Sequence, residues 1–318
     1  MNRAFAPIGS DLHRPECVLA TYRGDLFTSD SRGGVMHIRP DRSQVLLAGR
    51  SAELPGGIAP NGIALQPDGS FLLAHLGEQD GGVFTLRRDG QLAPLLREVD
   101  GVPLPPTNYV TRDRSGRLWV TVSTRLAPRT ADYRSRASTG FVVLDDGRGP
   151  RIVADGLGYA NECAVTPDGA WLYVNETFTR RVSRFPLRGG TLGAKEVVAE
   201  FGPGGFPDGL ALDAAGAVWV TCVVGDRVMR VDPTGRTTTW YATSSLGHVA
   251  TAEQAYLAGT LGAEFLTDRS SPLGGCSSIA FAGPARTTAV LGSLFNNHLV
   301  RFDVQVAGVE PPHWRYHG

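Results

Sequence analysis

The sequence predicts an all-β fold: a six-bladed β-propeller with four-stranded antiparallel blades around a central channel. Three observations lead there. Aligning the chain on Gly24, Gly69, Gly116, Gly169 and Gly216 gives spacings of 45, 47, 53 and 47 residues, the range of propellers and arrays. Each glycine precedes a strand-like run: Leu26-Phe27-Thr28, Phe71-Leu72-Leu73, Leu118-Trp119-Val120, Trp171-Leu172-Tyr173 and Val218-Trp219-Val220. No gap between strands has the length or periodicity of a crossover helix, which excludes a parallel α/β sheet.

Within one repeat the elements follow in order. In the second, Ile63-Ala64-Leu65 reads as a short inner strand, and Pro67-Asp68-Gly69 as a tight turn whose glycine supplies positive φ. Phe71 to Ala74 is the second strand and Val83 to Leu86 the third. Asp89-Gly90 turns the chain into an outer edge strand, Leu92 to Leu96, where Pro94 is tolerated. Four strands make a propeller blade. A sixth, degraded unit begins at Ser277 to Phe281, continues through Thr288 to Leu291 and His298 to Phe302, and slips the glycine register by about one residue. The chain is therefore expected to form one domain over 1–318, with insertions at 124–139 and 242–275. A helical stripe is expected over Thr251 to Phe265. In an up-and-down blade, the loop after strand two and the loop entering strand one share a face, so both insertions should overhang that face as a lid or wall.

Bulk properties narrow the function. The 318 residues carry 31 basic and 31 acidic side chains, so no net field attracts nucleic acid or an anionic membrane. Forty glycines and 21 prolines beside 42% apolar residues describe a turn-rich, well-buried chain. The N-terminus lacks a signal-length apolar run, and no stretch is long enough to span a bilayer, so a cytoplasmic protein is expected. Cys17, Cys163, Cys222 and Cys276 are scattered and read as small buried thiols in a reduced compartment. Asn175-Glu176-Thr177 matches a glycosylation sequon that such a compartment would not use.

The chemistry sits eight residues before each repeat glycine, at Glu16, Asn61, Asn108, Asn161 and Asp208, with Ser277 in the sixth place. A closed ring would point these oxygen-bearing side chains at a common centre. Carboxylates with neutral amide oxygens suit a hard divalent cation, Ca2+ above all, with Zn2+, Mn2+ or Mg2+ as alternatives. Glu16, Asn161 and Asp208 are the expected ligands; glutamate in particular is a poor capping residue. Asn108 is a ligand or a substrate contact. Asn61, followed by Gly62, doubles as a turn residue that ties blades together and as a candidate substrate contact.

These residues carry a resemblance to the SMP-30/gluconolactonase family of six-bladed propellers. The matching pieces are Pro15-Glu16, Asn108 ahead of Asp113-Arg114-Ser115-Gly116-Arg117-Leu118-Trp119, Asn161 ahead of Pro167-Asp168-Gly169, and, most specifically, Pro207-Asp208-Gly209-Leu210-Ala211-Leu212-Asp213. The resemblance covers roughly residues 14–304. It implies a divalent cation on Glu16, Asn161 and Asp208, substrate or metal contact at Asn108, an acid/base role for Asp208, and hydrolysis of lactones, typically of sugar acids. More distant relatives cleave organophosphates.

The chain departs from the sugar-lactone pattern around Asn108, where Pro106 and Tyr109 stand. Tyr159, Phe206 and His75 are further candidates near the mouth, so a less polar ring than a sugar lactone is expected. Arg125, Arg129, Arg134 and Arg136 in the first insertion are candidates for a substrate carboxylate or for a solvated basic loop. The partner is a small-molecule substrate. A phosphotriesterase, isomerase or cyclase on the same scaffold, or a non-catalytic ligand-binding propeller, are the other readings.

Overall fold

The innermost strands Val18–Ala20, Pro60–Leu65, Thr107–Arg112, Ala160–Val165, Gly205–Leu212 and Cys276–Ala282 open six antiparallel sheets around a channel. They are described here from a computed structural model that covers residues 5–316. Neighbouring inner strands pack on one another in chain order, and the last returns to the first, so the ring closes as a six-bladed propeller.

The repeat glycines do the same job in five blades. Gly24, Gly69, Gly116, Gly169 and Gly216 all have φ between 71° and 89°, the region where a Cβ is penalised. Each donates its N–H three residues back, closing the turn between strands one and two. In the sixth blade that hydrogen bond comes from Arg286 to Gly283, and Arg286 itself takes φ 53°. This is the register slip seen in the sequence, held by Arg286 Nε donating to the Gly308 carbonyl at 2.8 Å.

Two of the family-like motifs are structural. Asp113 accepts the indole N–H of buried Trp119, and Asp213 that of buried Trp219, each at 2.9 Å. Each aspartate also takes the backbone N–H groups of its own turn. The motif thus pins a turn to an inter-blade tryptophan. The four cysteines are buried and unpaired. Asn175 of the sequon is fully buried, with its amide donating to the carbonyls of Asp208 and Gly209.

Two features differ from the sequence reading. The helix spans Leu246–Ala258 rather than Thr251 to Phe265: Ser245 caps it by accepting from His248 N, and Gly259 at φ 73° ends it. Phe265 lies in a separate short turn, Ala263–Phe265. The sixth blade takes its outer strand from the other end of the chain, where Ala6–Ile8 pairs antiparallel with Leu299–Asp303, Pro7 opposite Val300.

That closing strand joins the two ends of the ring. Deleting residues 1–9 removes its ladder hydrogen bonds and exposes an edge, at about 1 kcal/mol per lost bond. The unfolding midpoint is expected to fall by about 5 °C or more in a thermal melt. An unchanged midpoint would show that the ring closes without this strand.

Candidate functional site

In five blades the innermost strand is irregular at the residue of interest. Its pairing with the second strand shifts register between Pro60 and Ile63, Thr107 and Tyr109, Ala160 and Cys163, Pro207 and Leu210, and Cys276 and Ser278. The residues inside these bulges include Asn61, Asn108, Asn161, Asp208 and Ser277. A bulge releases a residue from the ladder and re-aims its side chain. Glu16 just precedes its strand, after Arg14 at φ 51°, whose carbonyl accepts the Glu16 N–H at 2.8 Å.

Glu16, Asn108, Asn161 and Asp208, from four blades, line one cavity of about 230 Å³. All four side chains are buried. Arg14 reaches the same cavity, with Nη1 2.5 Å from Glu16 Oε2 and donating to Asn61 Oδ1 at 3.0 Å. Asp208 is pushed well above the usual carboxylate range, first by burial, then by the charges of Glu16 and Glu162; Arg14 and Asn161 oppose the shift.

The backbone under Asp208 is held from the neighbouring strands. Asn175 donates to the Asp208 carbonyl at 3.0 Å, Thr177 Oγ1 to the Pro207 carbonyl at 2.7 Å, and Gly209 N donates to Thr221 Oγ1 at 2.9 Å. Gly209 has no room for a side chain, since a Cβ there would stand 2.5 Å from Ser278 Cα. Asn161 donates its amide to Thr177 Oγ1 at 3.1 Å.

The donor set fits a hard divalent cation. Asn108 Oδ1 is buried with no hydrogen-bond partner, and Glu16 Oε2 has only the Arg14 contact, which is not aligned as a hydrogen bond. Orphaned buried oxygens beside two carboxylates form a set of hard donors that a cation could satisfy. Among the described residues no group of three or more His, Cys, Asp or Glu side chains is placed to hold a metal, so any such site must recruit the amides.

Four sequence candidates are placed elsewhere. Asn61 is a tie: its amide donates to the Asn108 carbonyl at 2.8 Å and its oxygen accepts from Arg14, which keeps it off the cavity wall. Tyr109 follows the Asn108 bulge, and its ring lines a second cavity. His75 is buried and accepts the Ala59 N–H on Nδ1 at 3.0 Å. Phe206 is fully buried, packed edge-on against Tyr256 behind the wall. Tyr159 does line the site.

The remaining wall comes from segments that do not repeat in the sequence. Arg129 and Tyr133 of the first insertion, Thr177 and Phe178 after the second strand of blade four, and Ala263 and Leu266 of the second insertion all border the cavity. Both insertions thus reach the face where the inner strands begin. Arg14, Thr177 and Phe178 were not singled out from the sequence, because comparing repeats highlights only positions that recur.

The second cavity, about 150 Å³ and mainly apolar, occupies the other end of the channel, with Val309–His313 of the C-terminal segment along its lining. Its buried acid is Glu162, which accepts the Leu210 N–H at 2.8 Å. Burial drives Glu162 up to about 8.

Comparison with known proteins identifies the family. The family model for the SMP-30/Gluconolactonase/LRE-like region matches residues 15–251. The chain belongs to that family. A 6-deoxy-6-sulfogluconolactonase from Pseudomonas putida is 31% identical over 176 residues, 54% of this chain and 57% of that protein. The match therefore spans little more than half of this curated relative. A gluconolactonase structure from Xanthomonas campestris shares the fold at TM-score 0.67 and 21% identity, over 92% of this chain and 87% of that one. A calcium-binding protein, regucalcin, from Agrobacterium tumefaciens does so at 0.69 and 18%, over 98% and 95%.

Glu162 gives a test of the channel's electrostatics. An unfolded chain ionises it near pH 4.3, whereas the folded one holds the proton to about 8. Between those values the folded state loses ground as pH rises. Glu162→Gln, which keeps an acceptor for Leu210, is expected to stabilise the protein at pH 8 by on the order of 2–4 kcal/mol, with the gain vanishing below about pH 4. Denaturant titrations across that range check it; a pH-independent difference would mean that the acid is not desolvated.

Proposed function

We propose that the chain is a metal-dependent lactonase acting at the cavity of Glu16, Asn108, Asn161 and Asp208. One observation carries the reading: four bulged or strand-entry positions, far apart in sequence, deliver oxygen donors to a single buried pocket. Family membership and a lactonase relative support it. A divalent cation on Glu16, Asn161 and Asp208, Ca2+ first and Zn2+, Mn2+ or Mg2+ as alternatives, would supply Lewis-acid polarisation of the lactone carbonyl.

Asp208 is the group to orient a water and accept its proton, since its backbone is pinned by Asn175 and its carboxylate faces the cavity. The water oxygen bonds the carbonyl carbon, the ring C–O bond breaks, and the ring oxygen leaves as a hydroxyl after taking a proton. Asn108, with an amide oxygen that no protein group satisfies, contacts the substrate or completes the cation's ligands. Phe178, Val223, Leu266 and Leu294 make much of the wall apolar and restrict water. Those walls favour a ring with fewer hydroxyl groups than a free sugar. A cleaved organophosphate or an isomerised product would instead place a different reaction on this scaffold, and product analysis by mass separates these outcomes.

Asp208→Asn keeps an oxygen donor and removes the charge. It is expected to lower kcat by about 100-fold or more with the melting temperature nearly unchanged, and wild-type turnover would refute the assignment. Chelation should abolish activity and added divalent cation restore it. Burial and the Glu16 charge raise the Asp208 carboxyl, so cation binding competes with its proton. Calorimetry in buffers of different ionisation enthalpy should therefore show proton release on binding and weaker binding as pH falls; uptake without release would remove Asp208 from the ligand set.

A further inference from the structure

The four arginines of the first insertion have different fates. Arg125 forms a two-pronged pair with Asp155 and lies over the Phe141 ring, Arg134 pairs with Asp132, and Arg136 is exposed. Arg129 alone of the four lines the cavity, and it makes no hydrogen bond or salt bridge among the described residues. The turn that carries it is well anchored. Arg129 opens the short turn Arg129–Asp132, and buried Asp132 accepts hydrogen bonds from Thr124, Thr139 and Arg134. Tyr133, next along, stacks on Phe178 with ring centroids 4.2 Å apart.

Beside it stands Tyr159. The residue is 3% exposed and its hydroxyl is buried without a partner. Its backbone sits at φ 74°, a conformation that a bulky side chain adopts at a cost. An unpaired guanidinium and an unpaired phenol, both on the wall of one cavity, offer donors to an oxyanion. Charge bookkeeping points the same way. With both carboxylates ionised, as cation binding requires, Glu16 and Asp208 balance Arg14 and Arg129. A divalent cation, as in the lactonase reading on which this inference rests, would leave the pocket with two positive charges in excess.

We propose that Arg129 and Tyr159 form an anion subsite, and that the substrate is a lactone whose ring carries a second acid group: a carboxylate, sulfonate or phosphate. The subsite recognises the acid already on the ring and is distinct from the carboxylate formed on opening. It sets selectivity, with Arg129 supplying charge and a planar fork of donors and Tyr159 a single hydrogen bond.

The test compares matched lactones of one ring, bearing a carboxylate, a sulfonate or a neutral hydroxymethyl group, with the cation-loaded wild type, Arg129→Met, Arg129→Lys and Tyr159→Phe. The wild type is expected to favour an acid-bearing lactone over the neutral one at least tenfold in kcat/KM. Arg129→Met should collapse that ratio by tenfold or more, mainly through KM. Arg129→Lys should keep part of it, and Tyr159→Phe should lose less than Arg129→Met. The carboxylate and sulfonate arms show which acid the subsite prefers. A ratio near one in the wild type, or a ratio that Arg129→Met leaves unchanged, overturns the subsite. Calorimetric binding of the same compounds gives a second readout. If no lactone turns over, the hydrolase reading falls, while acid-selective binding lost in Arg129→Met still upholds the subsite and equal binding of acid and neutral compounds ends it. Should Arg129→Met fail to fold by circular dichroism, the comparison of Arg129→Lys with wild type decides.

Discussion

The site depends on how the backbone is satisfied where the inner strands crowd the axis. There the ladder is interrupted, and the freed N–H and C=O groups are buried, so each needs a substitute partner. The partner comes from the adjoining blade. Ser277 Oγ donates to the Glu16 carbonyl, and Val18 N donates to Ser278 Oγ. Ile63 N meets the Cys17 sulfur, Asn61 bonds the Asn108 carbonyl, and Leu210 N meets Glu162. Asn175 and Thr177 of blade four hold the backbone of Pro207 and Asp208 in blade five. These cross-blade hydrogen bonds stitch the ring together and set the direction of the site side chains. Structural and functional residues therefore alternate along one short stretch of each inner strand.

This alternation explains which parts of the site were legible in the sequence. The fold was, because a turn that demands positive φ repeats at a nearly constant interval and is followed each time by a buried strand. Glu16, Asn108, Asn161 and Asp208 were visible as a recurring position eight residues before that turn. Asn61 occupies the same position yet serves as a tie, because Arg14 and the Asn108 carbonyl use both ends of its amide. Residue type and spacing cannot separate a ligand from a stitch when both need a short polar side chain in a bulge. Tyr109, Phe206 and His75 were placed at the mouth by chain proximity. The structure puts Tyr109 toward the far end of the channel, Phe206 behind the wall, and His75 buried within blade two. The closing strand was invisible because its partner lies at the opposite end of the chain, and no local pattern records that pairing.

The wall follows a different logic from the axis. It is built from insertions and loops, yet it is packed as a core. Tyr133, Tyr159, Phe178, Phe206 and Tyr256 form a continuous run of ring contacts. Arg180 lies over the rings of Phe206 and Tyr256 while pairing with Glu253 of the helix. Tyr256 donates its hydroxyl to the Phe178 carbonyl at 2.5 Å. The helix of the second insertion is thereby bound to blade four, and the cavity's upper shape is set by aromatic packing rather than by loop mobility.

The two logics have separate consequences for specificity. At 18–21% identity the solved structures share the propeller, and a shared propeller does not define a substrate. The axial bulges supply hard oxygen donors, a set that serves any reaction needing a polarised carbonyl or phosphoryl group. Discrimination between rings has to come from groups that touch the rest of the substrate, and the wall that presents them is built from the insertions together with the loops of blade four. The turn that carries Arg129 is held by a buried aspartate and flanked by stacked rings, so the insertion brings its charge to the cavity wall. Moving that charge by exchanging the insertion would change the preferred substrate without touching the donors at the axis.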